Sequence, residues 1–116
     1  MKREIKFRGK HLNKWIYGYL LKNIDDNKYY ISVSLDQFYQ VKEETIGQYT
    51  GLKDKNGVEV YEGDKVKAKF YGKEVAGEIG FNSGCFLLWN SCVSDNQLFI
   101  FTDIEVIGNV YENEVD

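Results

Sequence analysis

Asn56-Gly57 constrains this chain more than any other pair of residues in it. Both residues tolerate positive φ, which tight β-hairpin turns demand. Strand-like segments lie on either side, Thr45 to Thr50 before and Val58 to Tyr61 after, with Lys53-Asp54-Lys55 completing a polar loop. A second tight turn, Glu62-Gly63-Asp64, then launches a third strand from Lys65 to Phe70. There Val66, Ala68 and Phe70 alternate with Lys65, Lys67 and Lys69. A period of two puts the apolar side chains on one face and the charges on the other. The block predicts antiparallel β structure and carries no signal for a reaction.

The rest of the chain reads the same way. Arg3 to Lys10 is a first strand, in which Ile5 and Phe7 alternate with Glu4, Lys6 and Arg8, so the positive charge is expected on the outward face. Gly9 to Lys14 holds the turn. Trp15 to Leu21 follows, with Trp15, Tyr17, Tyr19 and Leu21 sharing a face, and Gly18 marking a bulge or a close backbone approach. Lys28 to Ser34 is a third strand, and Leu35 to Glu44 is either a short strand or a helical turn. Glu74 to Phe81, Cys85 to Trp89, Leu98 to Phe101 and Ile104 to Tyr111 are further strands, with a polar loop from Asn90 to Gln97. Nine Tyr and seven Phe favour pleated surfaces, and eleven Gly do the turn work in a chain without Pro. A Gly-Asp-x-Val opening strand, a tight hairpin, a third apolar strand and a short final strand resemble the layout of an SH3-like barrel. The expected fold is one mainly-β domain with little helix. Residues 61–116 form an SH3-like small barrel or roll, and residues 1–60 a β extension.

Composition removes several function classes. No apolar run approaches the ~20 residues of a membrane span, and none follows the basic start as in a secretory signal. The chain is expected to be soluble and cytoplasmic, without membrane partners. Zinc asks for four ligands, but His11 is the sole histidine and Cys85 and Cys92 stand on separate segments. No metal and no cofactor are expected, and reduced thiols are the simpler reading of two cysteines. Cys85 opens an apolar strand, where cysteine behaves as a small hydrophobe. Glu62, Asp64 and Asp54 invite a search for paired carboxylates, but short polar side chains beside glycine fit turn chemistry better. Gly47, Gly51 and Gly57 lack the spacing of a phosphate loop. No enzyme is expected.

Charge leaves one specific alternative open. Lys6, Arg8, Lys65, Lys67 and Lys69 align as a candidate nucleic-acid stripe, although the net charge is −3 and Arg3 and Arg8 are the only arginines. Lys2, Arg3, Lys6, Arg8, Lys10, Lys14 and Lys22 crowd the first part of the chain against Glu4 alone. After Lys73 only acids follow, among them Glu105, Glu112, Glu114 and Asp116. The two ends either neutralise each other within a chain or meet in a homo-oligomer, with Trp15, Tyr17 or Tyr19 supplying apolar contact.

Four segments carry a family resemblance: Arg3-Glu4-Ile5-Lys6-Phe7-Arg8-Gly9, Gln48 to Gly57, Tyr61-Glu62-Gly63-Asp64-Lys65-Val66, and Asp103 to Asn113. In this order they span nearly the whole chain, which resembles the YopX-like family of small phage and prophage proteins. The resemblance implies a mainly β fold with an SH3-type component and no enzymatic activity, cofactor or catalytic residue. It marks Tyr49, Thr50, Gly51, Asp54, Asn56, Gly57, Tyr61, Gly63, Asp64, Gly108 and Asn109 as signature residues, structural or interacting. The functional expectation is a non-catalytic protein-interaction module in the host cytoplasm, its partner unidentified. A small nucleic-acid-binding β-barrel is the alternative.

Overall fold

Two-residue turns set the strand pairing. Leu12 and Asn13 both sit at positive φ, 47° and 69°, as do Tyr71 and Gly72, 49° and 80°. Each pair joins strands whose flanking residues face one another, His11 to Lys14 and Phe70 to Lys73. The twist of such turns matches the right-handed twist of paired strands. The computed structural model describes residues 4–82, 84–89, 96–98 and 101–111. Within them lie β1 (Phe7–His11), β2 (Lys14–Asn23), β3 (Lys28–Ser34), β4 (Gln37–Gln40), β5 (Gly47–Lys53), β6 (Glu59–Tyr61), β7 (Asp64–Phe70), β8 (Lys73–Asn82), β9 (Cys85–Trp89), β10 (Asn96–Gln97) and β11 (Thr102–Asn109). A 3-10 turn occupies Glu43–Thr45, so the segment from Leu35 to Glu44 holds both a short strand and the start of a helical turn. The chain is mainly β, in antiparallel sheets.

Two compact units divide the chain between Tyr49 and Thr50, and β5 runs from the first into the second. The β5–β6 hairpin loop and β6 lie in the second unit.

In the first unit the strand order is β4-β3-β2-β1-β5. β2 pairs with β1 through Lys14 to Gly18 and with β3 through Tyr19 to Asn23. Past β4 the chain returns to β1. The Lys42 N–H donates to the Lys10 carbonyl at 3.0 Å, and the Lys10 N–H donates to Thr45 Oγ1 at 2.9 Å. Ile31, Val41, Thr45 and Tyr49 are buried. Gly18 marks a close approach: a Cβ there would stand 2.1 Å from the Ser32 carbonyl oxygen.

The expected outward placement of Arg8 does not hold, since the side chain is only 5% exposed. Alternation predicts a wet face only where one side of the sheet meets water. The Arg8 guanidinium instead lies 4.3 Å from the Trp15 ring centroid, where the ring's negative face compensates part of the lost hydration. Ile5, expected inward, is exposed.

In the second unit the end of β5 pairs with β6, and a five-stranded sheet runs β10-β9-β8-β7-β11. Four strands form a meander and β11 returns to pair with β7. The expected closure into a barrel does not occur: β10 and β11 stand at opposite edges. A closing seam needs strands long enough to pair on both sides, and β10 has two residues. Val60, Val66, Ala68, Ile79, Leu88, Leu98 and Phe101 form the core. The burial pattern of β7 alternates as expected, with Lys65, Lys67 and Lys69 outward. Leu98 and Phe101 are core residues outside any strand, and the Phe101 N–H donates to the Leu98 carbonyl. The sequence reads as a strand over Leu98 to Phe101; the two described residues of that run fill the core from outside any strand, and residues 99 and 100 lie outside the described residues. Cys92, most of the 90–97 loop and the charged ends (Lys2 and Arg3, Glu112, Glu114 and Asp116) lie outside the described residues.

Gly18→Ala forces a methyl group against backbone that cannot swing aside. Urea unfolding is expected to show a loss of roughly 1–3 kcal/mol, as for overpacking elsewhere. Undiminished stability would mean that β2 and β3 tolerate a wider spacing.

Candidate functional site

The central signature converges on one carboxylate. Asp54 follows β5, and its side chain is only 7% exposed. Its Oδ1 accepts N–H bonds from Asn56 at 2.8 Å and Val58 at 2.9 Å, fixing the turn locally. Its Oδ2 accepts the N–H of Val106 in β11 at 2.9 Å. Backbone bonds reinforce both links. The Asp54 N–H donates to the Val58 carbonyl, the Gly57 N–H to the Asp54 carbonyl, and the Lys55 N–H to the Ile104 carbonyl. One side chain thus stands in for part of a neighbouring strand along the edge of β11. Burial alone would raise the Asp54 pKa, but the three N–H donors, with help from Lys55, hold it below the usual carboxylate value.

The other signature residues are engaged in the same way. The Thr50 hydroxyl donates to the Val60 carbonyl at 2.8 Å, across the β5–β6 pair. Gly51 and Gly57 sit at φ 88° and 83°. The space around Gly57 is empty, so glycine serves there for backbone freedom alone. Asn56 is exposed in the same turn. The buried Asp64 accepts the Tyr61 N–H at 2.7 Å through Oδ2, closing the turn around Gly63. The Gly63 N–H donates to the Ile79 carbonyl, and its own carbonyl accepts the Val110 N–H. Gly108 pairs with Lys65 beside a register shift, and Asn109 accepts the Tyr111 N–H through Oδ1. Tyr49 belongs to the first unit, where it is buried, gives its N–H to the Lys6 carbonyl and lies 5.5 Å from Lys6 Nζ. Asp54 and Asp64 both serve as acceptors of backbone N–H groups, the role of turn residues.

The residues of the candidate nucleic-acid stripe divide between the two units. Arg8 is buried under Trp15 in the first unit. In the second, the exposed lysines of β7 face acids on both neighbours: Lys65 pairs with Glu78, Lys69 with Glu74, and Lys67 with Glu105. Lys69 Nζ also stands 3.5 Å from Asp103 Oδ2. The row is a mixed-charge surface. His11, expected in an exposed turn, lies in β1 and donates from Nδ1 to the Gln40 carbonyl at 2.7 Å. Among the described residues, no three His, Cys, Asp or Glu are grouped to hold a metal ion, and no helix is long and apolar enough to cross a membrane.

The surface that stands out is on the first unit. Register places Tyr19, Ser32 and Phe38 abreast, and likewise Leu21, Tyr30 and Gln40. Tyr17, Tyr19, Leu21 and Phe38 on this face are 45%, 68%, 42% and 51% exposed. A cleft of about 460 Å³ opens among Leu21, Lys22, Asn23, Tyr30 and Phe38. The Tyr30 hydroxyl donates to Asp26 Oδ2 at 2.6 Å, which lowers the Asp26 pKa and raises that of Tyr30. Sequence alternation finds the stripe on β2 but gives no sign that it faces water, nor that Phe38 joins it.

Comparison with known proteins adds one match. A family model described as YopX protein covers residues 6–115. No curated protein matches the chain.

Asp54→Ala removes the acceptor of three backbone N–H groups, one of them on β11, and is expected to cost roughly 2–4 kcal/mol in urea unfolding. Gly57→Ala meets no atom, so it should cost only the ~1–2 kcal/mol of left-handed backbone. The depressed Asp54 pKa means that the unfolded chain takes up the proton first as pH falls. Its stabilisation is complete above the ordinary carboxylate value of ~3.9 and is lost below it, as pH drops through the lower folded value. Asp54→Asn should flatten that part of the acid-stability curve. An unchanged curve would place the acid sensitivity elsewhere.

Proposed function

The chain belongs to the YopX family, and from that premise we propose a small phage- or prophage-encoded interaction module, non-catalytic and working in the host cytoplasm. The five-stranded sheet, a meander whose last strand returns to the first, is read as an open SH3-like arrangement. The contact surface is the outer face of the first unit. One observation carries this reading: four large side chains, three from β2 and one from β4 across the intervening β3, lie exposed on this face. Interface cores are rich in Tyr and Phe and poor in Lys and Glu, and this face has that composition. The signature residues, occupied with backbone, supply the frame.

Nucleic-acid binding remains the competing reading and is tested directly. Fluorescence anisotropy with labelled single-stranded DNA and RNA, at low and at physiological salt, is expected to show no binding at micromolar protein. Micromolar binding that weakens steeply with salt would overturn the protein-interaction reading.

A further inference from the structure

We infer that Asn56-Gly57 is a site of spontaneous modification, where Asn56 converts to isoaspartate or aspartate, and that the Asp54 turn holds this conversion back until it opens. Asn56 is the one asparagine in the sequence that glycine follows. Both residues are exposed, and the space beside the Gly57 Cα is empty. Glycine leaves its nitrogen open to approach and its backbone free to turn. In the reaction, the Gly57 nitrogen gives up its proton and bonds to the side-chain carbonyl carbon of Asn56. The carboxamide C–N bond breaks, and ammonia leaves with that proton. A five-membered succinimide ring results, and water opens it. Attack at the side-chain carbonyl gives aspartate in an ordinary chain. Attack at the main-chain carbonyl gives isoaspartate, with an extra carbon in the main chain. Nothing is oxidised or reduced.

In the folded chain the attacking nitrogen is committed elsewhere. The Gly57 N–H donates to the Asp54 carbonyl at 3.0 Å, and the Asn56 N–H donates to Asp54 Oδ1 at 2.8 Å. The peptide groups on both sides of Asn56 are thus tied to one residue. The rotation that would bring the Gly57 nitrogen onto the side-chain carbon is blocked. Asp54 is held in turn by the Val106 N–H of β11. Reaction therefore waits on local opening of the turn. Reclosing does not undo it. The extra carbon of isoaspartate displaces the Gly57 and Val58 N–H groups from Asp54, and a new carboxylate stands two residues from the old one. The tie between hairpin and β11 is weakened for good.

Incubation in warm, mildly alkaline buffer, followed by peptide mapping and mass spectrometry, tests the proposal. The readout is NH exchanged for O at position 56. Two bonds of ordinary net strength must open, so a synthetic peptide from Thr50 to Val60 is expected to react at least about tenfold faster than the folded chain. Asp54→Ala, with circular dichroism unchanged, should bring the folded chain towards the peptide's rate, while its rate in urea stays that of wild type. The modified fraction, separated by its added negative charge, should unfold at lower urea than the unmodified chain. Equal rates in peptide and folded chain overturn the proposal, and so does an Asn56 that stays intact in both. A folded Asp54→Ala chain that reacts no faster than wild type shows that Asp54 does not hold the site closed. A modified fraction as stable as the unmodified one shows that the tie to β11 survives. The peptide comparison needs no substitution, so it decides the matter even if Asp54→Ala does not fold.

Discussion

The second unit depends on a carboxylate that behaves like a piece of backbone. Asp54 gathers N–H groups from its own turn and from β11, whose Val106 lies fifty-two residues away in sequence. A main-chain carbonyl has the capacity for two such bonds, and the ionised side chain takes three with two oxygens. Charge-assisted bonds to backbone amides are about twice as strong as neutral ones. That strength offsets the cost of burying the charge. The hairpin loop is thereby held to β11 without a further strand.

This explains why the most recognisable part of the sequence is quiet chemically. Asp54, Asp64 and Thr50 look reactive as residue types. Asp54 and Thr50 bond the main chain, and Asp64 accepts the Tyr61 N–H that closes its turn. The large side chains most open to solvent lie elsewhere, Tyr19 and Phe38 among them on the face of β2 and β4 in the first unit.

Local rules made much of the fold legible. Alternation in β7 and the apolar run of β9 correspond to strands at almost the expected bounds, because each has a clear pattern and a tight turn beside it. The legibility failed where tertiary context decides. Arg8 alternates like a surface residue, but its side chain is buried, and the planar cation lies on Trp15. Leu98 and Phe101 are apolar enough for a strand, but they reach the core from outside any strand. Barrel closure depends on strand length at the edge, which turn signals do not encode. For the candidate site, the sequence placed Tyr17, Tyr19 and Leu21 together, while the solvent exposure of that side and the arrival of Phe38 through β3 are properties of the folded sheet.

The return of β11 to β7 has a consequence for a chain made from one end. On the ribosome, β1 to β4 emerge as successive hairpins, each able to pair with a strand just completed. β7 gains β8 at once across the Tyr71-Gly72 turn, but its other edge waits for residues 102–109. The Asp54 carboxylate waits for the same residues. During that interval the β7 edge is an open template for other chains, which is the hazard of an unpaired strand. The outward lysines at positions 65, 67 and 69 sit on that edge strand. Positive charge of this kind discourages strand addition at an open edge, and in the folded chain Asp103 and Glu105 face it.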